Sequence, residues 1–352
     1  MPKPAYLDQQ RHGATPQLTD HPAPAHAKHD WPAVGQRIAI AALPRFGIEP
    51  DSPMTLLPQS ENLALHVTPH DRPAVVVRVS PPNARTPDEV CSELAWINAL
   101  GKESDAPVPA VHPATSGDAV VPVTDPITGV TACVAVFEHV TGHEPEDDEL
   151  AALMPKLGRI SAELHEHASA WVRPTWFTRK RWDADAAFGP TPHWGSWQAG
   201  VPDPDHRHLL SRMENVIIRR LQRFGQGPER FGLVHADLRT ANLLVHGESF
   251  HVIDFDDSGF SWWLYDLATA MTFYENHPQR DELVGSWIES YRQVRTLPET
   301  DEAEIPTFLA FRRLLTLAFL GNTPDVEVTR AMLPGLPEQT CELAEEYLTQ
   351  FG

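Results

Sequence analysis

Basic residues are scarce in this chain. Its 352 residues include 28 Lys and Arg against 48 Asp and Glu, a formal charge of −20 at pH 7. That balance excludes a general binder of nucleic acid, which needs a basic face. It would welcome a cationic or zwitterionic small molecule, but much of the negative charge falls in runs such as Glu144 to Glu149 and Glu299 to Glu304. Such runs read as solvated faces, so charge alone selects no substrate. Cysteine is equally sparse: Cys91, Cys133 and Cys341 lack metal-ligand spacing, which excludes a zinc signature and suggests buried, reduced thiols. No run of about 18 apolar residues occurs, excluding a helical membrane span, and the first residues lack the apolar core of a secretory signal. A cytoplasmic location is expected. No Gly-x-Gly-x-x-Gly precedes the first predicted strand, and no Gly-x-x-x-x-Gly-Lys-Ser/Thr occurs anywhere, so a Walker-type phosphate loop is unsupported.

What is present is ordinary globular material, 41% hydrophobic and 22% charged, long enough for one large or two medium cores. Residues 1–30, rich in Pro, His and polar side chains, read as a flexible arm, with Trp31 opening the folded part. His21, His26 and His29 read as a solvated tail before they read as a metal site. No internal repeat is visible.

The chemistry concentrates after Gly232. His235, Asp237 and Asn242 form a His-x-Asp-x-x-x-x-Asn run, and Asp254 follows in Val-Ile-Asp-Phe. Leu233 and Val234 lead into this polar loop, and Leu243 to Val245 read as a short strand leaving it. His246, Gly247 and Glu248 suggest a hairpin turn, with Phe250 to Ile253 returning to deliver Asp254 beside Asn242. A transferring phosphoryl group spreads negative charge over three oxygens, so its enzyme needs a carboxylate near the acceptor and oxygen ligands for a metal on the phosphates. Asp237, Asn242 and Asp254 fit those roles. Each alone could be a turn former or a strand-end cap; their joint spacing carries the signal.

This segment resembles the aminoglycoside phosphotransferase and choline kinase superfamily, which shares its architecture with protein kinases. The resemblance implies an α+β, two-lobed protein-kinase-like fold: an N-lobe antiparallel sheet with one helix over residues 31–137, and a mainly helical C-lobe with an acceptor-binding insertion over residues 138–352. It implies that Asp237 is the catalytic base, that Asn242 and Asp254 are Mg²⁺ ligands, and that His235 orders the loop. Asp266 matches a family Asp that steadies the catalytic loop, and it reads equally as a carboxylate favoured at a helix N-terminus. Arg239 could neutralise γ-phosphate charge or form a salt bridge to Asp256 or Asp257. Asp256, where protein kinases carry Gly, could be an auxiliary metal ligand.

Upstream, Leu63 to Val67 and Ala74 to Val79 read as paired strands, placing Arg78 where the family usually has Lys. Glu93 falls in a helical pattern with Val90, Leu94, Ile97 and Leu100, so it could pair with Arg78 over the nucleotide phosphates or be a solvated helix residue. Ser60, Glu61 and Asn62 resemble the family's lid. Thr131 to Glu138 resembles a strand running into a hinge, so Phe137, Glu138, His139 and Val140 would line the base pocket for ATP or GTP.

Residues 171–200 contain five Trp and the basic patch Arg179 to Arg181, in the region where this superfamily varies its acceptor site. Trp176, Arg179, Trp182, Asp183 and Trp194, with Trp197 and Asp185, could form an aromatic and polar wall, joined by Trp263, Trp262 and Tyr265. Each Trp could equally be packing. Three helical patterns follow, and Phe311, Arg312 and Arg313 could reach the acceptor.

The expected activity is a Mg²⁺- and ATP- or GTP-dependent O-phosphotransferase acting on a hydroxyl of a small molecule: an amino alcohol such as homoserine or choline, a sugar, or an aminoglycoside-type antibiotic. The partners would be nucleotide and small-molecule acceptor, with no nucleic acid and no membrane, in a monomer or homodimer. Two alternatives stay open, a Ser/Thr protein kinase of the same superfamily and a catalytically impaired nucleotide-binding pseudokinase.

Overall fold

The structure, a computed structural model, describes residues 31–57, 62–82, 84–323 and 327–352. The chain divides into two compact units. The first runs to Gly142 and adds Val172–Arg179 and Val245–Asp256; the second comprises His143–Trp171, Lys180–Leu244 and Asp257–Gly352.

The first unit is built on an antiparallel sheet of β1 (Met54–Leu56), β2 (Leu63–Val67), β3 (Val75–Ser80), β4 (Val111–His112), β5 (Val120–Thr124) and β6 (Thr131–Glu138). The strand order is β1-β2-β3-β6-β4, with β5 also on β6. Alternation sets the faces: Leu63, Leu65 and Val67 are buried and the residues between them half-buried. Under the sheet α1 (Trp31–Ala42) contributes Val34, Ile38 and Ala42 to one apolar core with Val77, Val79, Val134 and Val136. The helix α2 (Pro87–Glu103) begins with a capping box, in which Thr86 Oγ1 accepts from the Glu89 N–H and the Glu89 carboxylate accepts from the Thr86 N–H.

The expected boundary at Phe137 and Glu138 differs from this division, for local reasons. Glu138 is still in register with Val75, so the sheet carries the hinge with it. Residues 172–179 join the first unit because the Thr178 N–H donates to Ser92 Oγ and Arg179 reaches the Glu89 carbonyl, both on α2. Residues 245–256 join it because the Val252 N–H donates to the Pro107 carbonyl and the Phe255 ring lies edge-on to Trp96.

The second unit is mainly helical: α3 (Leu150–Ala170), α4 (Ala184–Phe188), α5 (Pro204–Phe224), α6 (Leu264–Ala270), α7 (Arg280–Arg292), α8 (Glu299–Glu302), α9 (Ile305–Asn322), α10 (Glu327–Met332) and α11 (Leu336–Phe351). α9 is apolar nearly all round and buried, through Phe308, Phe311, Leu314 and Leu317, as a central helix must be. α3 approaches α7 so closely at Gly158 that a Cβ there would lie 2.1 Å from the Trp287 carbonyl oxygen. A short ribbon pairs β7 (Phe231–Val234) with β10 (Gly259–Trp262), with Val234 opposite Gly259. The chain passes between units along β8 (Leu243–His246), which turns at Gly247, φ 60°, into β9 (Ser249–Val252). Among the described residues no helix is long and apolar enough to cross a membrane.

Candidate active site

In the second unit, β7 ends at Val234 and hands over to the loop carrying His235, Asp237 and Asn242. Loop backbone this deeply buried needs internal partners. Asp266, in the first turn of α6 and fully buried, supplies them: its Oδ1 accepts the Ala236 N–H at 2.7 Å and its Oδ2 the His235 N–H at 3.1 Å. Thr269, one turn on, accepts the Leu238 N–H at 2.9 Å. Ala236 sits at φ 68°, a left-handed conformation that a residue with a Cβ adopts only when its surroundings impose it. Both features of Asp266, loop support and a favourable helix N-terminal charge, are present together.

Behind Asp266 lies a chain of buried polar groups. His165 of α3 places Nε2 2.9 Å from Asp266 Oδ2 and Nδ1 2.9 Å from the Tyr291 hydroxyl of α7. Asp266 can only accept when ionised, so Nε2 carries the proton and Nδ1 accepts from Tyr291. Burial holds the His165 pKa below its ordinary value despite the Asp266 charge.

Asp237 is the convergence point. Its Oδ2 accepts from Asn242 Nδ2 at 2.7 Å and Arg239 Nε at 3.1 Å, and its Oδ1 accepts from Arg312 Nη2 at 2.6 Å. Burial alone would raise its pKa; the Arg239 and Arg312 guanidiniums outweigh that and hold it below the usual carboxylate value. Of the two readings of Arg239, the observed ion-pair partner is Asp237 itself. The Asn242 Nδ2 also donates to the Asp237 carbonyl at 2.8 Å. The amide nitrogen is thereby committed, and its oxygen remains as a hard donor.

The aromatic residues divide. Trp182 is buried, donates through Nε1 to the Asp257 carbonyl at 2.7 Å and packs at 4.8 Å on Trp194. Trp194 is half-buried, with the Arg312 guanidinium carbon 5.4 Å from its ring centre. Lys180 lies 5.3 Å from the Trp182 ring and 3.4 Å from Asp257. These residues line one region with Asp237. Trp263 is core: its Nε1 donates to the Glu229 carbonyl at 3.0 Å, its ring packs on His165, and it fills the space a Gly232 side chain would need. Trp197 is likewise buried, bonded to Glu214 at 2.7 Å. Asp183 caps α4 and pairs with Arg181 at 2.8 Å, which accounts for its charge locally.

In the first unit, Arg78 of β3 meets Glu93 of α2 through both ends of its fork, at 2.6 and 2.8 Å. Both side chains are buried, and the guanidinium carbon lies 5.1 Å from the Phe137 ring centre. Burial works against the Arg78 charge, but Glu93, Asp256 and Asp254 more than restore it. Asp254, like Ala236, takes a left-handed backbone at φ 59°. Asp256 does not stand as a bare carboxylate: its Oδ2 meets Arg85 at 3.2 Å and the Asn62 amide at 3.1 Å. Asn62 therefore contacts Asp256, and Ser60 and Glu61 lie outside the described residues. Arg179 is buried with its guanidinium on the Glu89, Phe255 and Asp256 carbonyls, so it clamps the backbone after Asp254. Trp176 is half-buried and also belongs to this unit. At the hinge the amides of Glu138 and His139 donate to the Ala110 and Ala74 carbonyls, and His139 packs edge-on to His66 at 4.4 Å.

The sequence reasoning passed over His165, Tyr291 and Arg85. His165 carried a faint signal, a histidine on the apolar face of a helical pattern; Tyr291 and Arg85 carried none.

Known proteins resemble this chain over most of its length. The model of the phosphotransferase enzyme family matches residues 55–303. A solved microcompartment-associated aminopropanol kinase is 40% identical, covers 90% of this chain and 98% of its own, and superposes with a TM-score of 0.82. Amicoumacin kinase of Bacillus subtilis (strain 168) is 23% identical over 317 residues, 85% of this chain and 90% of its own. The structure of the amicoumacin kinase hAmiN with AMP-PNP, Ca²⁺ and Ami, at 20% identity over 90% of this chain and 94% of its own, shares the fold with a TM-score of 0.71. The chain belongs to the phosphotransferase enzyme family, as a kinase with an alcohol group as acceptor and a protein-kinase-like α+β fold.

Proposed function

We propose that this kinase transfers the γ-phosphoryl group of a nucleoside triphosphate, with Mg²⁺, to the hydroxyl of a small amino alcohol. The observation that carries the reading is the Asp237 carboxylate, fixed by Asn242, Arg239 and Arg312 and held ionised. The 40% identical relative, an aminopropanol kinase, supports the acceptor class. A net charge of −20 suits an ammonium-bearing acceptor, and the half-buried Trp194 ring adds a π-face in the same unit as Asp237.

Asp237 accepts a hydrogen bond from the acceptor hydroxyl and takes its proton as that oxygen forms the new bond to phosphorus. The bond from phosphorus to the β-phosphate oxygen breaks, and its electron pair leaves with the nucleoside diphosphate. Arg78, locked by Glu93, is the cation for the nucleotide phosphates. With the Glu138 and His139 amides taken, the Val140 N–H is the hinge donor for the base.

Asn242, in the second unit, keeps an amide oxygen and Asp254, in the first, is a carboxylate, so each by itself suits a hard divalent cation. Mg²⁺ is ordinarily held by one or two protein oxygens together with substrate phosphates and water. When bound, Mg²⁺ supplies charge neutralisation on the phosphates. Asp256, engaged by Arg85 and Asn62, is not assigned to it.

A phosphate-transfer screen of purified protein with Mg²⁺ and ATP or GTP against amino alcohols, sugars, aminoglycosides and a protein acceptor tests the reading. Transfer to an amino alcohol, lost in Asp237→Asn, is expected; transfer only to another class would overturn the acceptor assignment.

A further inference from the structure

Arg312 stands out among the buried cations of the second unit. It lies on α9, is 4% exposed, and every nitrogen of its guanidinium is engaged: Nε with Thr272 Oγ1 at 3.1 Å, Nη1 with the Tyr265 hydroxyl at 3.2 Å, Nη2 with Asp237 Oδ1 at 2.6 Å. Within the helix, Thr316 Oγ1 donates back to the Arg312 carbonyl at 3.0 Å. The two oxygens of Asp237 are consequently unequal. Oδ2 accepts from both Asn242 and Arg239, which fills the two positions a carboxylate oxygen offers. Among the described residues Oδ1 accepts from Arg312 alone.

We propose that Arg312 is a positioning residue for phosphoryl transfer: anchored on Tyr265 and Thr272, it aims Asp237 Oδ1, and that oxygen receives the acceptor hydroxyl. The inference rests on the reading of Asp237 as base. A planar fork suits the task, since three donors in fixed geometry join the carboxylate to two hydroxyls on other elements, whereas a lysine ammonium is a point charge on a flexible stem. Its ring neighbour Trp194, at 5.4 Å, places the same guanidinium against the aromatic lining. Arg312 thus touches the catalytic carboxylate and the acceptor wall while acting on the reaction through Asp237.

The test is a double-mutant cycle on the full chain, read as kcat and as KM for nucleotide. Arg312→Met should lower kcat by at least ~10²-fold with nucleotide KM changed less than ~2-fold, and Arg312→Lys should recover only part, because charge returns without the fork. In an Asp237→Asn background, Arg312→Met should add less than ~3-fold, since residues acting as a unit are non-additive. A full second loss there, or wild-type kcat in Arg312→Met, would overturn the positioning role. Should Arg312→Met fail to fold, Tyr265→Phe, which frees one anchor, should lower kcat by ~3- to 10-fold alone and have no effect beside Asp237→Asn; equal effects in both backgrounds would overturn it. Wild-type kcat in Asp237→Asn would instead remove the base reading itself, whereas a slow Asp237→Asn with an unaffected Arg312→Met would remove only the inference.

Discussion

Asp266 holds Ala236 in a left-handed backbone conformation: its Oδ1 accepts the Ala236 N–H at 2.7 Å while Ala236 sits at φ 68°. The residue before Asp237, the proposed base, is therefore fixed by a fully buried, helix-borne acid. Strain of this kind costs on the order of 1–3 kcal/mol and persists only where the surroundings overdetermine it. Asp266→Ala should lose two loop hydrogen bonds and the His165 partner together, lowering both melting temperature and kcat. A variant with lowered melting temperature but full kcat would show that the loop keeps its geometry without Asp266.

His165 provides a pH test of the same network. Its native pKa is held below the ordinary 6.5 by burial, so on acidification the unfolded chain takes up a proton that the native chain refuses. Stability from this group is complete above about pH 6.5 and falls as the pH drops toward the depressed native value. Urea unfolding at about pH 7.5 and about pH 5.5 should show a loss in the wild type that is smaller in His165→Gln. Equal losses in both proteins would count against a neutral His165.

Arg78 and Glu93 form a buried pair, and removing one member leaves the other charge uncompensated, at a cost of about 3–5 kcal/mol. Arg78→Met should therefore destabilise the first unit and raise KM for nucleotide together. Arg78→Met/Glu93→Leu should recover stability but not nucleotide affinity. Recovery of both would mean that the guanidinium serves the fold alone.

The same division between fold and function applies to Trp263. It was expected at the acceptor, yet its ring would lie 1.8 Å from a Gly232 Cβ and its indole is bonded to Glu229. Trp263→Phe should lower melting temperature and leave KM for the acceptor unchanged, whereas Trp194→Ala should raise that KM with little change in melting temperature. The reverse pattern would return Trp263 to the acceptor wall.

How far the sequence could be read depended on whether the information was local. Asp237, Asn242 and Asp254 are proposed from local spacing that fits phosphoryl-transfer chemistry, and the Arg78–Glu93 contact was legible because strand and helix periodicity places the two on elements that pair. The aromatic residues of 171–200 and 262–265 were not separable, because Trp composition says nothing about which ring packs and which is half-exposed. Trp182 and Trp263 are both buried, but only Trp182 lies against Trp194. Arg179 looked like part of a basic patch because its partners are main-chain carbonyls far away in sequence. His165 meets Asp266 across 101 residues, Tyr291 meets His165 across 126 and Arg312 meets Asp237 across 75, separations that no motif window spans.

Asp237 is proposed to do the proton chemistry of transfer and not to be needed for binding nucleotide. Asp237→Asn, compared with wild type for Mg²⁺-nucleotide affinity by calorimetry and for transfer to an amino alcohol, tests it directly. Nearly unchanged affinity is expected, with turnover reduced by at least ~10²-fold, the scale of a lost acid–base or electrostatic contribution. Wild-type turnover in Asp237→Asn, or loss of nucleotide binding with it, would overturn the role proposed for Asp237.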